Sequence, residues 1–482
     1  MPARVTTTAG SYPGQPGVLR RHLQVVLGSG RASGTTRHPL RRHLPWLALL
    51  VFLASATLLS LSVLVHGTAI RLDQERPPGF FDLKVYRAAA GVLASGRPLY
   101  AAHFGLGLGF TYPSFAALMF LGLRAASLGA DEVAVTLLNV ALVAAVVHCT
   151  LRLRRPALAE DGRAGRPAVA WLLAAIALWT EPVRSAIGFG QIDVLIAALV
   201  LIDLTTFDHN SRWGGLGIGI AAALKMTPLI FIVYLALTGR GRSAARAVGM
   251  FLATVIVSFV AVPRDAATYW SGTFLDTSRV TGGSHLTGSG PADQSLRGAL
   301  LRFAPGISHM TLLWVITCLL VASLGLFLAT SAGRRGDEAW GFVLTAITGL
   351  LISPISWTHH WVIAVPGLLL LLAPSERSLF RVVAAVAAAA LALGSSTITI
   401  VIAKSPGGHD LGTLGLLVGD LYVIIGLLTI ATAVAIQPAT RDHLADTSVP
   451  RIVRLQDYVT EPWQLRQRVT KIRHRRAVRE LQ

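Results

Sequence analysis

Charge is scarce in this chain of 482 residues. Asp, Glu, Lys and Arg make up 14% of it, where a soluble domain carries about 25%. With 53% hydrophobic residues and a mean hydropathy of +0.59, the shortage excludes a water-soluble globule. Cysteine is nearly absent too. Cys149 and Cys318 both fall inside apolar runs, so they read as packing residues and give no support to a disulfide or metal framework. Acidic residues are outnumbered 24 to 43 by basic ones, a formal charge of +19. That excess sits at the two ends and in short connectors, the pattern of membrane topology and anionic-lipid contact, so no nucleic-acid partner is expected. No Walker loop, nucleotide-binding cassette or Rossmann glycine pattern occurs in a strand–helix context, which disfavours a soluble nucleotide as energy source or sugar donor. No internal repeat of the kind common in transporters is evident.

What the chain does have is a series of apolar runs separated by Arg-rich or Gly/Pro-rich connectors, the pattern of an all-α polytopic membrane protein. The first membrane-length run extends from Pro45 to His66. Residues 1–44 lack apolar periodicity and are expected to be a disordered, basic, cytoplasmic segment. No cleavable signal peptide is expected, because that apolar run starts too late. Residues 45–436 form the expected transmembrane domain, and 437–482 a basic cytoplasmic tail that includes Arg473, Arg475 and Arg476.

With both ends cytoplasmic the number of crossings is even. Laying residues 112–128 in the interface keeps Arg152, Arg154, Arg155, Arg163 and Arg166 inside. Reading Gly214 to Gly239 as a bent pair of short helices, broken at Pro228, does the same for Arg240, Arg242 and Arg246. About twelve crossings are then expected. The outer side receives residues 67–130, the 181–193 turn, a long loop from Arg264 to His309, the 353–360 turn and residues 404–410.

Those outer segments carry the candidate chemistry. Asp82, in Phe81-Asp82-Leu83-Lys84-Val85-Tyr86, has apolar and aromatic flanks that raise a carboxyl pKa toward that of a useful base; the plainer reading is an interfacial carboxylate paired with Lys84 or Arg87. In Gly188-Phe189-Gly190-Gln191-Ile192-Asp193 the glycines let backbone amides approach a ligand, while Asp193 reads equally well as a helix cap or a binding group. Lys225, ahead of Pro228 in a membrane run, needs a partner, since a lone charge there costs about 2.5–3.5 kcal/mol. A lipid phosphate is one candidate and an acidic neighbour another. His359 and His360, between Trp357 and Trp361, offer hydrogen-bond donors to phosphate on an interfacial aromatic belt; as metal ligands they lack accompanying residues. The long outer loop, Gly- and Ser-rich, with Asp276, Arg279, His285, Asp293, Gln294 and Arg297, has the composition of a mobile segment that closes over substrate, or of a plain linker.

In sequence order, Asp-Leu-Lys-Val-Tyr (82–86), Gly-Arg-Pro-Leu-Tyr (96–100), Phe-Thr-Tyr-Pro (110–113), Glu-Pro (181–182), Gly-Gln-Ile (190–192), Leu-Lys-Met-Thr-Pro (224–228) and Ser-Pro-Ile-Ser-Trp-Thr-His-His-Trp (353–361) resemble the actinobacterial polyprenol-phosphate-mannose-dependent α-(1→2)-mannosyltransferases. The resemblance runs from about residue 46 to 436. It implies a GT-C glycosyltransferase fold with interfacial helices in the first outer loop. It also implies transfer of mannose, with inversion and without a cofactor, from a polyprenyl phosphate to a mannose hydroxyl of a lipid-linked envelope glycan: a phosphatidylinositol mannoside, lipomannan or lipoarabinomannan. The site would face outward from the plasma membrane.

On the resemblance, Asp82 is the base, Lys225, His359 and His360 hold the donor phosphate, and Tyr86, Tyr112, Gln191, Asp193, Arg279, Gln294 and Trp357 position sugar or acceptor; no metal is required. The chain departs from the familiar pattern at Asp193, where similar sequences often have Asn, and in Ser-Gly-Pro-Ala-Asp-Gln-Ser (289–295), where an Asn-containing version is familiar. An arabinofuranosyltransferase using decaprenyl phosphate arabinose shares the scaffold, and a lipid-linked sugar transporter is the reading from a different class.

Overall fold

The computed structural model describes residues 40–66, 79–105, 107–153, 166–207, 211–276, 278–281, 292–304, 306–363, 365–367 and 412–436. The chain divides into two compact units at Val434/Ala435, and beyond the end of the last helix the second unit lies outside these residues, as do most of the N-terminal segment and residues 404–410.

Among the described residues four helices are long and apolar enough to cross a membrane: α1 (Leu40–His66), α4 (Leu128–Leu153), α10 (Gly241–Ala261) and α14 (Met310–Arg334). A fifth span results if α5 (Arg166–Leu178) and α6 (Glu181–Phe189), bent by 67°, count as one. Such helices turn apolar side chains outward, as with Val260 at 79% exposure and Leu320 at 67%. A soluble fold would bury residues of this kind; in a membrane they face acyl chains.

The expected count of about twelve spans is not reached among these residues, where several further apolar segments fold as short or broken helices, 112–128 and 214–239 as the sequence predicts. Residues Ser114–Ala125 comprise a short α-helix, α3 (Ser114–Phe120), and a 3-10 turn. At 1.5 Å per residue they fall well short of the roughly 30 Å hydrocarbon core. The 214–239 stretch forms two nine-residue helices, α8 (Leu216–Leu224) and α9 (Leu229–Leu237), with the break at Lys225–Pro228. The loop from Arg264 to His309 contains helix as well: α11 (Pro263–Trp270), α12 (Ser278–Thr281) and α13 (Leu296–Phe303). Its glycine-rich centre, including His285, lies outside the described residues.

Two cores organise these elements. The larger lies among the apolar helices and includes Leu59, Val147, Ala174, Val200, Ile218, Phe342 and Tyr422. The smaller packs the amphipathic helix α2 (Phe81–Ala94) against α3, around Tyr86, Tyr100, Phe104, Phe110, Phe120, Leu224 and Tyr269. A two-stranded antiparallel hairpin, β1 (His103–Phe104) with β2 (Leu108–Gly109), pairs His103 with Gly109 and Phe104 with Leu108. Arg87 ties α2 to α4 through an ion pair with Asp131 and hydrogen bonds to carbonyls of residues 123 and 126. Cys149 is buried and Cys318 half-buried, and both are free thiols.

Candidate active site

The site assembles where α2, the end of α6, the start of α7 (Asp193–Thr206), the Lys225 break and the turn after α15 (Glu338–Ile352) converge. The α6–α7 corner explains why the glycines are needed. Gly190 ends α6 in the left-handed region, with φ 67°, and the Gln191 amide closes the turn on Ala186 O at 2.8 Å. A Cβ at 190 would meet Leu83 Cβ at 2.7 Å, so only glycine lets this corner seat against α2. The Phe80 amide bonds Gly188 O at 2.7 Å, and Asn139 Nδ2 of α4 donates to Gln191 O at 3.2 Å. Gln191 is therefore fixed at its backbone before its side chain makes any contact.

That side chain is 97% buried in a network of reactive groups. Tyr86 Oη donates to Gln191 Oε1 at 2.6 Å, and Tyr112 Oη lies 3.3 Å from the same oxygen and 2.9 Å from Tyr86 Oη. Gln191 Nε2 lies 3.3 Å from His359 Nε2. Asp82, half-buried on the first turn of α2, has its carboxyl pushed up to about 7. Burial is the main cause; Asp193 adds to the rise, and Gln191 and the Lys225 charge oppose it. At neutral pH such a carboxyl is poised to accept a proton.

Lys225 Nζ bonds Asp193 Oδ1 at 2.6 Å and lies 5.9 Å from the centroid of the Tyr112 ring. The acidic neighbour is thus the partner that the membrane charge finds. Asp193 itself is no cap: the cap position of α7 is Ile192, and its side chain makes no capping bond. The two histidines follow on a 3-10 turn, Thr358–Ile363, their rings edge to face at 4.8 Å. Burial holds both well below the ordinary imidazole range, so they are neutral. Asp193, His359 and His360 each bring one ligand atom within 4.8 Å of the others, but the Lys225 ammonium already neutralises the Asp193 carboxylate and opposes a second cation there, and we do not read the trio as a metal centre. Beside them opens a cleft of about 470 Å³. Its polar end is Asp193, Lys225, Thr227 and His360, and its walls are apolar, among them Ile196, Val200, Ile230, Phe231 and Leu350.

Two expected site residues are committed elsewhere. Gln294 Nε2 donates to Gly419 O, and its Oε1 accepts from the Tyr422 amide. Arg279 reaches back to Tyr100 O at 2.5 Å and Phe110 O at 3.3 Å, holding the first outer loop. Both are spent on backbone, because a loop packed inside protein must satisfy its carbonyls and amides there. Trp357, half-buried, forms an isolated bridge with Asp293. Sequence reasoning missed Asn139, although a lone amide in an apolar helix is a signal in itself.

Residues 110–354 match glycosyltransferase family 87. The chain belongs to this family. The match takes in Tyr112, Gln191, Asp193 and Lys225, while Asp82 lies before it and His359 after it. A polyprenol-phosphate-mannose-dependent alpha-(1-2)-phosphatidylinositol mannoside mannosyltransferase of Mycobacterium tuberculosis is 32% identical over 317 residues, 61% of this chain and 70% of its own length. Its namesake in Mycolicibacterium smegmatis is 33% identical over 343 residues, 66% of this chain and 75% of its own. A phosphatidylinositol pentamannoside mannosyltransferase of the same dependence, also from Mycobacterium tuberculosis, is 34% identical over 325 residues, 65% and 70% of the two chains. No solved structure matches the family member described here.

Proposed function

We propose that the protein transfers mannose from a polyprenyl phosphate to a mannose hydroxyl of a phosphatidylinositol mannoside or a related lipid-linked glycan, forming an α-(1→2) bond with inversion. The observation that carries the reading is a lysine–histidine cluster at an apolar-walled cleft, joined through Gln191 to Tyr86 on the helix that carries Asp82. A phosphate on a hydrocarbon chain has the same two-part chemistry. The relatives' names supply the sugar and the linkage.

In this reading the acceptor hydroxyl attacks the anomeric carbon, Asp82 takes its proton, and the carbon–oxygen bond to phosphate breaks with its electrons leaving on the phosphate. Lys225 and His360, at the end of the cleft, meet that charge. Phosphate is already a good leaving group, so the protein's work is positioning, a base and charge stabilisation. We place the site on the outer face of the plasma membrane, with both basic ends inside. In a cysteine-free background, a membrane-impermeant thiol reagent should label His103→Cys in intact cells; protection there would reverse the orientation.

The direct test uses purified enzyme, labelled polyprenyl phosphate mannose, a short α-mannoside acceptor and a chelator, with Asp82→Asn alongside. Product from the wild type and none from the variant is expected. Product from decaprenyl phosphate arabinose instead, or equal product from the variant, would overturn the sugar or the base respectively.

A further inference from the structure

A site that holds phosphate is expected to be positive, and this one is balanced. Of the residues lining the cleft, Lys225 is the one permanent cation and Asp193 the one acid. The two are in direct contact, Nζ to Oδ1 at 2.6 Å, with side-chain exposures of only 15% and 7%. Buried charges of this kind are screened far less by salt than exposed ones. An ammonium has three N–H donors, and beyond the bond to Asp193 those of Lys225 have no hydrogen-bond partner among the described residues, so it can still reach a phosphate oxygen. Asp193 Oδ2 is buried and also unpartnered among them, so no second donor offsets the charge of the carboxylate. A phosphate bound on this ammonium therefore sits next to an anion.

That arrangement weighs ligands by their charge. The sugar donor of the proposed reaction is a phosphodiester, with one negative charge. When its anomeric carbon–oxygen bond breaks, the electron pair stays on the phosphate and the acceptor proton goes to Asp82. The prenyl phosphate left behind is a monoester, with a charge of about −1.5 to −2 at pH 7. Lys225 meets the first of these charges. The second gains little from a lysine already paired with a carboxylate, and it gives up its hydration on entering the cleft. At about 4 Å the repulsion from Asp193 alone is worth roughly fivefold in affinity in water and more where water is excluded. We propose that Asp193 discriminates by charge at the polar end of the cleft: it lets the singly charged sugar donor bind beside Lys225 and disfavours the doubly charged prenyl phosphate that transfer leaves behind, which speeds product release.

The proposal rests on the mannosyl-transfer reading, but its test needs no turnover. Polyprenyl phosphate, its methyl ester and polyprenyl phosphate mannose are each titrated against wild type and Asp193→Asn in detergent at about pH 8, where the monoester is fully ionised. Apparent Kd values come from the ligand-dependent rise in thermal midpoint. The methyl ester is the same lipid with one charge and no sugar, so it separates charge from sugar contact. Wild type should bind it at least about tenfold more tightly than polyprenyl phosphate. In Asp193→Asn, whose amide oxygen can still accept from Lys225, the ratio should shift by about 10- to 100-fold toward polyprenyl phosphate. In the transfer assay the Ki of added polyprenyl phosphate should fall with it. A sugar contact, the role the resemblance gives Asp193, moves a different number: polyprenyl phosphate mannose alone weakens, and the other two ligands keep their ratio. That result overturns the proposal, as does a variant that weakens all three ligands equally. If Asp193→Asn does not fold, wild type alone decides, and polyprenyl phosphate bound as tightly as its methyl ester is equally fatal. Charge discrimination without product from wild type would sink the transfer reading and leave this inference standing; product without discrimination would do the reverse.

Discussion

Two glutamines, both buried beyond nine-tenths, are spent in different ways. Gln191 bonds side chains that can gain or lose protons: two tyrosines and a histidine. Gln294 bonds backbone: Gly419 O and the Tyr422 amide, while its own amide donates to Ser356 O at 2.7 Å. Its neighbour Asp293 continues the pattern, accepting from the Ser356 amide at 2.9 Å, and the Thr358 amide reaches Ala292 O at 3.0 Å. The second network stitches the 292–295 segment to the 354–358 turn that leads into the histidines, and Arg302, paired with Asp420, also donates to Asp293 O. A side-chain network can tune an ionisation; a backbone network fixes where the tuned groups stand.

The sharpest way to break this distinction is at its reactive end. Asp82→Asn is expected to lower transfer by at least about 10²–10⁴-fold, and wild-type activity should rise with pH through about 7. The same carboxyl makes a prediction about stability. Its pKa is raised in the fold, so between the unfolded value of 3.8 and about 7 the native state holds the extra proton, and stability from this group falls as pH rises. Above that window Asn removes a buried charge, and the thermal midpoint of the variant in detergent should equal or exceed that of the wild type at pH 8. A lower midpoint would mean that the carboxylate is structural.

Lys225→Met comes next. It strands the Asp193 carboxylate, whose Oδ2 is already buried without a partner, at a cost of about 3–5 kcal/mol. Adding Asp193→Leu should recover much of the loss; a double variant no better than the single would show that the pair is not what stabilises this corner.

Gln294→Leu should cost about 1–3 kcal/mol by orphaning the Tyr422 amide and the Gly419 carbonyl, with the midpoint of the pH–rate limb unmoved. A shifted limb would erase the contrast with Gln191. The smallest effect is expected at Arg279→Ala, about 1 kcal/mol of stability, again with the limb in place; a rise in acceptor KM there would return Arg279 to the substrate.

The legible parts of the sequence were those with a local cause. Apolar runs predicted the long helices and Pro228 the α8–α9 break. Asp82, Lys225 and the histidines stood out because polar groups are expensive where they lie. Less legible was which polar residues would spend their hydrogen bonds on one another. The Lys225–Asp193 pair joins positions 32 apart, and Gln191 meets His359 across 168 residues. No periodicity encodes such distances. Gln294 looked like a ligand for the same reason, since an amide in an outer loop gives no hint that Gly419 and Tyr422 will be waiting for it. An apolar run reports how well a segment tolerates lipid, and α8 and α9 show that a tolerant segment broken by proline can be two half-length pieces.

The Lys225–Asp193 bond also bears on how the protein is made. Both residues lie within one stretch of chain, α7 followed by the broken α8–α9 segment, so the pair is complete as soon as that hairpin has been synthesised. A helix carrying the lysine alone would meet the bilayer at a cost of about 2.5–3.5 kcal/mol, and one carrying the aspartate alone at a similar cost. Released together, they enter as a neutral unit. Biogenesis should therefore treat the hairpin as its smallest insertable piece, and Asn at position 193 should lower its insertion yield in a translocon assay.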